Sequence, residues 1–298
     1  MTYNWKWEQI ASHKHLTEGP AWDGSALLYN ECAANTTYRW DPDTGKSSVW
    51  RSNTCAANGM VFDRSGGLWV CEGDAHRVTK VNKDEPNAEA QVIANAFGGN
   101  TLNWPNDLAV TSGGRVYFSD PNYSREPNNL PHESVYMAEH GFGGAWSVTR
   151  VTFATARANG VLLSRDEKTL YVADSPHAPG VKRQLKAYPI LENGTLGAPS
   201  QLFDFGYNRG IDGMTLTTDG LIVATAGSPA SGPGSMIYVF EPSGLVRSTH
   251  RTPAESPTNC TFGGGSLGDL YVTFATGFVY RVTGTGLTGH LAYPARKY

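Results

Sequence analysis

Short apolar runs alternate along the chain with clusters of Gly, Asp, Ser and Asn, and one phrase returns six times. EGPAWDGSALLYNE, NGMVFDRSGGLWVCE, NDLAVTSGGRVYFSD, NGVLLSRDEKTLYVAD, DGMTLTTDGLIVATA and NCTFGGGSLGDLYVTF share a plan. Each opens on a polar residue, runs as a short apolar strand, turns, and returns as a strand of β-branched and aromatic residues. The opening residues are Glu18, Asn58, Asn106, Asn159, Asp212 and Asn259, separated by 40, 48, 53, 53 and 47 residues. That spacing is the one expected of four-stranded propeller blades. Third-strand phrases follow in TTYRWDP, HRVTKVN, ESVYMAE, RQLKAYP, SMIYVFE and GFVYRVT, and fourth strands in segments such as SSVW and AQVIA. No segment keeps a 3.6-residue apolar period over helical length, so helices should be nearly absent.

The pattern predicts an all-β chain: a six-bladed β-propeller of four antiparallel strands per blade, residues 1–298 forming one domain. A propeller left open at its seam would expose unpaired strand edges, so one blade should combine both ends of the chain. WKWEQIAS, ahead of the first polar residue, is the expected outer strand of the blade built from residues 259 to 283.

Composition agrees. Of 298 residues, 40% are hydrophobic and 17% charged, with 34 glycines and 17 prolines, a balance typical of a turn-rich folded protein and not of a disordered one. The net charge of −3 and the lack of any Lys/Arg run exclude a nucleic-acid partner from the expectation. No apolar run reaches membrane-spanning length, and the amino terminus lacks signal-peptide blocks, so no membrane partner and a cytoplasmic location are expected. Cys32, Cys55, Cys71 and Cys260 are scattered, which points to free, buried thiols and away from a zinc ribbon or redox pair. Oligomeric state is not legible.

The first strand of a blade lines the central channel, so the six opening residues should form a ring about the axis. The ring would carry one Glu, one Asp, four Asn and no basic residue. Two carboxylates that close repel one another unless a proton or a cation intervenes. Carboxylate and amide oxygens suit a hard divalent cation, Ca²⁺ first, with Mn²⁺, Mg²⁺ or Zn²⁺ as alternatives. The competing reading is that Asn-Gly and Asp-Gly dipeptides merely make turns.

With these residues in place, the chain resembles the SMP-30/gluconolactonase/LRE-like family, itself similar in architecture to diisopropyl fluorophosphatase. The matching phrases are TEGPAW, NGMVFDRSGGLWVCE, NWPNDLAVTSGGRVYFSDPNY, ANGVLLSRDEKTLYVAD, IDGMTLTTDGLIVA and PTNCTFGGGSLGDLYVT, in order over nearly the whole chain. The resemblance implies one divalent metal in the channel mouth, held by Glu18, Asn159 and Asp212, with Asn106 as a further ligand or a substrate contact. It also implies hydrolysis of sugar-acid lactones, small molecules whose ester carbonyl must be polarised and met by water. Asp212 is the expected catalytic group, as general base or as nucleophile. Trp104 stands where animal members carry an Arg two residues before the Asn of the ND phrase, which suggests a less polar or bulkier substrate.

Expected substrate contacts are Asn58, Trp104, Asn106, Tyr123, Arg125 and His177. Glu72, Asp74, His76, Asp120 and Asn122 follow second strands and read better as turn-stabilising groups. Tyr207, Asn208 and Arg209 precede Asp212 and are somewhat better placed to reach the site. GGSLG around Ser266 matches a nucleophile-elbow pattern but lies in a hairpin with no helix following, so Ser266 is set aside. Asp166 and Asp219 read as hairpin-turn residues. A phosphotriesterase, a lyase- or hydratase-like enzyme, and a propeller that only binds a small molecule are the alternatives to a lactonase.

Overall fold

The structure is a computed structural model, describing residues 4–124, 126–141, 143–230 and 233–293. Six four-stranded antiparallel sheets follow one another along the chain. Their innermost strands are Thr17–Trp22, Ala57–Phe62, Leu108–Val110, Ala158–Leu163, Ile211–Leu216 and Pro257–Gly263. Each packs against the innermost strands of its two neighbours, and the sixth packs against the first, which closes a six-bladed β-propeller. Among the described residues the only helical piece is the 3₁₀ turn Cys32–Ala34.

The seam is closed as the sequence predicts. Lys6–Ser12 pairs antiparallel with Phe278–Thr283 and becomes the outer strand of blade six. Trp5 anchors its start by stacking on His250 of blade five at 3.7 Å, and Trp7 meets Tyr280 edge-on at 6.1 Å. A two-stranded hairpin, Ala96–Phe97 with Asn100–Thr101, precedes blade three and is not foreshadowed in the pattern. Its strands are only two residues long, too short to show any periodicity.

Five blades share a local device at the channel mouth. The pairing of first and second strands slips register at Glu18/Ala21, Ala57/Met60, Ala158/Val161, Ile211/Met214 and Pro257/Cys260. An extra residue in a ladder bends the strand and re-aims side chains, and here each slip spans a polar opening residue or its immediate neighbours. The following glycine is required by close approach. Added Cβ atoms at Gly59, Gly160 and Gly213 would collide with the next blade's Asn106–Asp107, Asp212 and Asn259. All three lie within inner strands and none has a positive φ, so these Asn-Gly and Asp-Gly pairs are not turns. The glycine lets one inner strand lie directly against the next polar residue.

Between blades the core is aromatic. Trp22 stacks on Tyr271 at 5.6 Å across blades one and six, and Phe203 and Phe205 pack on Phe240 and Tyr238 across blades four and five. Cys32, Cys71 and Cys260 are buried free thiols, while Cys55 is half-exposed.

Candidate functional site

The six opening residues converge at one mouth of the channel. Glu18, Asn58, Asn106, Asn159 and Asn259 are all less than 9% exposed, whereas the Asp212 side chain keeps 19% of its surface open. Half of the ring is wired in series. Asn106 Nδ2 donates to Asn159 Oδ1 at 2.7 Å, and Asn159 Nδ2 donates to Asp212 Oδ1 at 2.8 Å.

The expectation that no basic residue neutralises the carboxylate pair is overturned from outside the ring. Arg209 Nη2 donates to Asp212 Oδ2, while its Nη1 donates to the carbonyls of Gly227 at 2.7 Å and Pro257 at 3.1 Å. Arg209 lies outside the repeat, in the irregular loop leading into blade five, so alignment of the six phrases cannot assign it a place. Its position three residues before Asp212 was visible; the direction of its guanidinium was not.

Glu18 accepts the Gly19 N–H at 2.7 Å. Burial, and then the Asp212 charge, push its carboxyl well above the usual range, partly offset by hydrogen bonds from Gly19 and Asn259. Burial also raises Asp212, opposed by Arg209 and Asn159. A third carboxyl lies behind the ring. Asp107 is buried, accepts the N–H groups of Leu108 at 2.9 Å and Val161 at 3.1 Å, and is pushed by burial up to about 7. It occupies the position where four other blades carry Gly19, Gly59, Gly160 and Gly213, a departure that the aligned repeat already contained.

The donor set fits a hard divalent cation. Glu18 and Asp212 lie near enough for the charge of Asp212 to raise the Glu18 carboxyl, a cost that a cation would relieve, and the buried Asn58 Oδ1 has no hydrogen-bond partner. Asn259 differs from Asn58, because its Oδ1 is taken by the Cys260 N–H at 2.8 Å. Among the described residues no three His, Cys, Asp or Glu side chains gather at a spacing that would hold a metal ion. A cation here would therefore draw on amide oxygens as well as carboxylates.

An aromatic and cationic wall rises on one side. Trp104 lies against Gly73, where an added Cβ would strike the indole, and its Nε1 donates to Asp74 Oδ1 at 3.2 Å. Tyr123 meets Trp104 edge-on at 5.9 Å and His177 at 6.0 Å. The Arg157 guanidinium lies 5.4 Å from the Tyr123 ring centre, is clamped by Glu133 through Nε at 2.5 Å and Nη2 at 3.1 Å, and reaches His177 Nδ1 at 2.9 Å. Arg157 stands two residues before Asn159, the offset that Trp104 has from Asn106. The wall is thus not apolar, as Trp104 alone suggests: a guanidinium occupies the equivalent offset one blade further on.

The remaining candidates sort by their partners. Glu72 is a buried anchor for Arg51 at 2.8 Å and Arg77 at 2.6 Å. Asp120 accepts the backbone N–H groups of Asn103 and Trp104, both at 2.8 Å, and His76 Nδ1 lies 2.5 Å from the Asn103 carbonyl, so both fix the loop that carries Trp104. Asn122 turns onto Ser124, and Tyr207 points to solvent. Arg125 lies outside the described residues. Asp166 and Asp219 bond within their own hairpins, to Ser164 and Thr217.

Residues 16–276 match the SMP-30/Gluconolactonase/LRE-like region. A gluconolactonase of Zymomonas mobilis is 29% identical over 278 residues, covering 86% of this chain and 75% of its own. A pentonolactonase, XacC, of Haloferax volcanii is 26% identical, covering 88% of this chain and 82% of its own. Among solved structures, regucalcin of Agrobacterium tumefaciens, a calcium-binding protein, superposes with a TM-score of 0.75 at 16% identity, covering 95% of each chain. A match over most of the length, on a fold of the same kind, establishes membership: this chain belongs to the SMP-30/gluconolactonase/LRE-like family.

Proposed function

We propose that the protein is a lactonase that binds a divalent cation, Ca²⁺ in the first place, at the ring of Glu18, Asn159 and Asp212 with Asn106 beside them. The observation that carries this reading is the pair of carboxyls, Glu18 buried and Asp212 partly open to the mouth, set inside a ring of amides in which Asn106 bonds Asn159 and Asn159 bonds Asp212. The gluconolactonase and pentonolactonase relatives support the substrate class, and the calcium-binding neighbour supports a divalent ion.

A bound cation would supply Lewis acidity to the lactone carbonyl and to water. The chain's own groups do the rest. Asp212 is the one ring carboxylate open to the mouth, and it takes the proton of the attacking water as general base. The same proton can then pass to the ring oxygen as the acyl C–O bond breaks, leaving a hydroxy acid. Arg209 holds Asp212 Oδ2 and Asn159 holds Oδ1, which fixes the carboxylate plane against the bound ring. Burial and the nearby Asp212 charge keep the Tyr123 phenol protonated, so its hydroxyl can donate to a substrate oxygen. Trp104, Tyr123 and His177 wall the ring in, and Asn58 offers its free carbonyl oxygen to the cation or to a substrate hydroxyl.

The test is acid release from a panel of aldonolactones and alkyl lactones by protein stripped with chelator and reloaded with Ca²⁺, Mn²⁺, Mg²⁺ or Zn²⁺. Turnover that is lost on stripping and restored by one of the ions is expected. Asp212→Asn should lower kcat by about 10²-fold or more, the scale of a lost general base, while leaving the thermal midpoint nearly unchanged. If no ion supports hydrolysis of any lactone, the proposal fails.

A further inference from the structure

Below the ring, at the opposite end of the channel, lies a cavity of about 400 Å³ that the proposed reaction does not use. That volume is within the range of small-molecule sites. Its walls are the lower halves of the inner strands, with Met60, Val161, Met214 and Leu216 among them, and its upper end reaches Asp107 and Asn259. The carboxyl-terminal segment forms one side: Gly289 N–H donates to the Leu267 carbonyl at 2.7 Å and His290 N–H to that of Leu216 at 2.8 Å.

The mouth of this cavity is polar. Arg64, Arg165, Glu167 and His290 line it, from the hairpins of blades two and four and from the terminal segment. Glu167 is occupied by Ser112, whose N–H and hydroxyl donate to it at 2.8 and 2.9 Å. Arg165 spends one N–H on the Thr218 carbonyl at 2.9 Å. Neither arginine has an ion-pair partner among the described residues; burial first, and then the charges of Arg165 and Arg64, lower the pKa of His290. An apolar chamber whose rim sets two guanidinium groups against one carboxylate, Glu167, keeps a positive excess there and is complementary to a molecule with an aliphatic body and one anionic head.

We propose that this lower cavity binds an aliphatic carboxylate, its tail among Met60, Val161, Met214 and Leu216 and its head at Arg64 and Arg165. The site is separate from the lactone-binding mouth and does not depend on the reaction assigned there. Asn259 connects the two, since it lines the cavity and hydrogen-bonds Glu18.

Decanoate is a suitable probe, with decanol as its uncharged counterpart. Methyl-labelled methionine NMR of the full chain reports location directly. Met60 and Met214 should shift on titration, while Met137 and Met236, away from the cavity, stay still. Calorimetry should give one saturable site below the micellar concentration. Decanol should bind at least tenfold more weakly, and the Arg64→Ala/Arg165→Ala double variant, altered only at exposed positions, should lose a similar factor for decanoate. Leu163→Trp, which fills the chamber from a half-buried wall position, should abolish the methionine shifts. Absence of saturable binding overturns the proposal, as do equal affinities for decanoate and decanol or shifts confined to Met137 and Met236.

Discussion

The pairing of Arg209 with Asp212 is the residue-scale feature that most affects the chemistry. A guanidinium on one carboxylate oxygen favours the charged form and competes with any cation for the same group. Its loss should leave burial opposed mainly by the Asn159 hydrogen bond, which raises the carboxyl further. Arg209→Met is therefore expected to bind Ca²⁺ about fivefold more tightly at pH 8, a difference on the order of 1 kcal/mol for a partly exposed pair. Isothermal titration checks this; unchanged or weaker binding would show that Arg209 acts mainly by anchoring the carbonyls of Gly227 and Pro257. Asp120 offers a second test away from the ring. Burial raises it to about 7, above the value near 3.9 expected in the unfolded chain. The folded protein thus holds a proton that the unfolded chain releases. The stability contributed by this group is complete below about pH 4 and is lost as pH rises through about 7, a few kcal/mol in all. The carboxyl ¹³C resonance of Asp120 should titrate near neutrality, and a midpoint below 5 would refute the assignment.

At the scale of the strand, the recurrent glycine decides whether the ring can form. Gly160 lies so close to the Asp212 carbonyl that an added methyl must push the two inner strands apart. Gly160→Ala is expected to destabilise the fold by about 1–3 kcal/mol, the usual range for overpacking, and to reduce lactone turnover more than the stability loss explains. Thermal melts beside kinetics on the folded fraction separate the two effects. The same substitution at Gly98, whose surroundings are open, loses no contact but meets a positive φ, so it should cost only backbone strain and leave turnover unchanged. Aligned phrases reveal that a glycine follows most opening residues. They do not reveal why, because the neighbour that demands it comes from the next blade, about 50 residues on.

For the molecule as a whole, closure rests on Lys6–Ser12 and its tryptophan anchors. Deleting residues 1–12 would leave Phe278–Thr283 as an open edge, a template for pairing with another chain. The truncated protein is expected to melt at least several degrees lower and to self-associate in light scattering, whereas Cys55→Ser, at a half-exposed free thiol, should behave as wild type. The six-fold repeat and the strand order could be read from the chain because each depends on a local pattern that recurs at a regular spacing, and the closing strand because an open seam would leave a strand edge unpaired. The pairings within the ring could not. Arg209 reaches Asp212 through an irregular loop, Arg157 meets Tyr123 across two blades, and Asp107 becomes a buried carboxyl only once Val161 packs over it. Such contacts turn on distance and burial, which set the strength of charge interactions and exist only when the blades have closed.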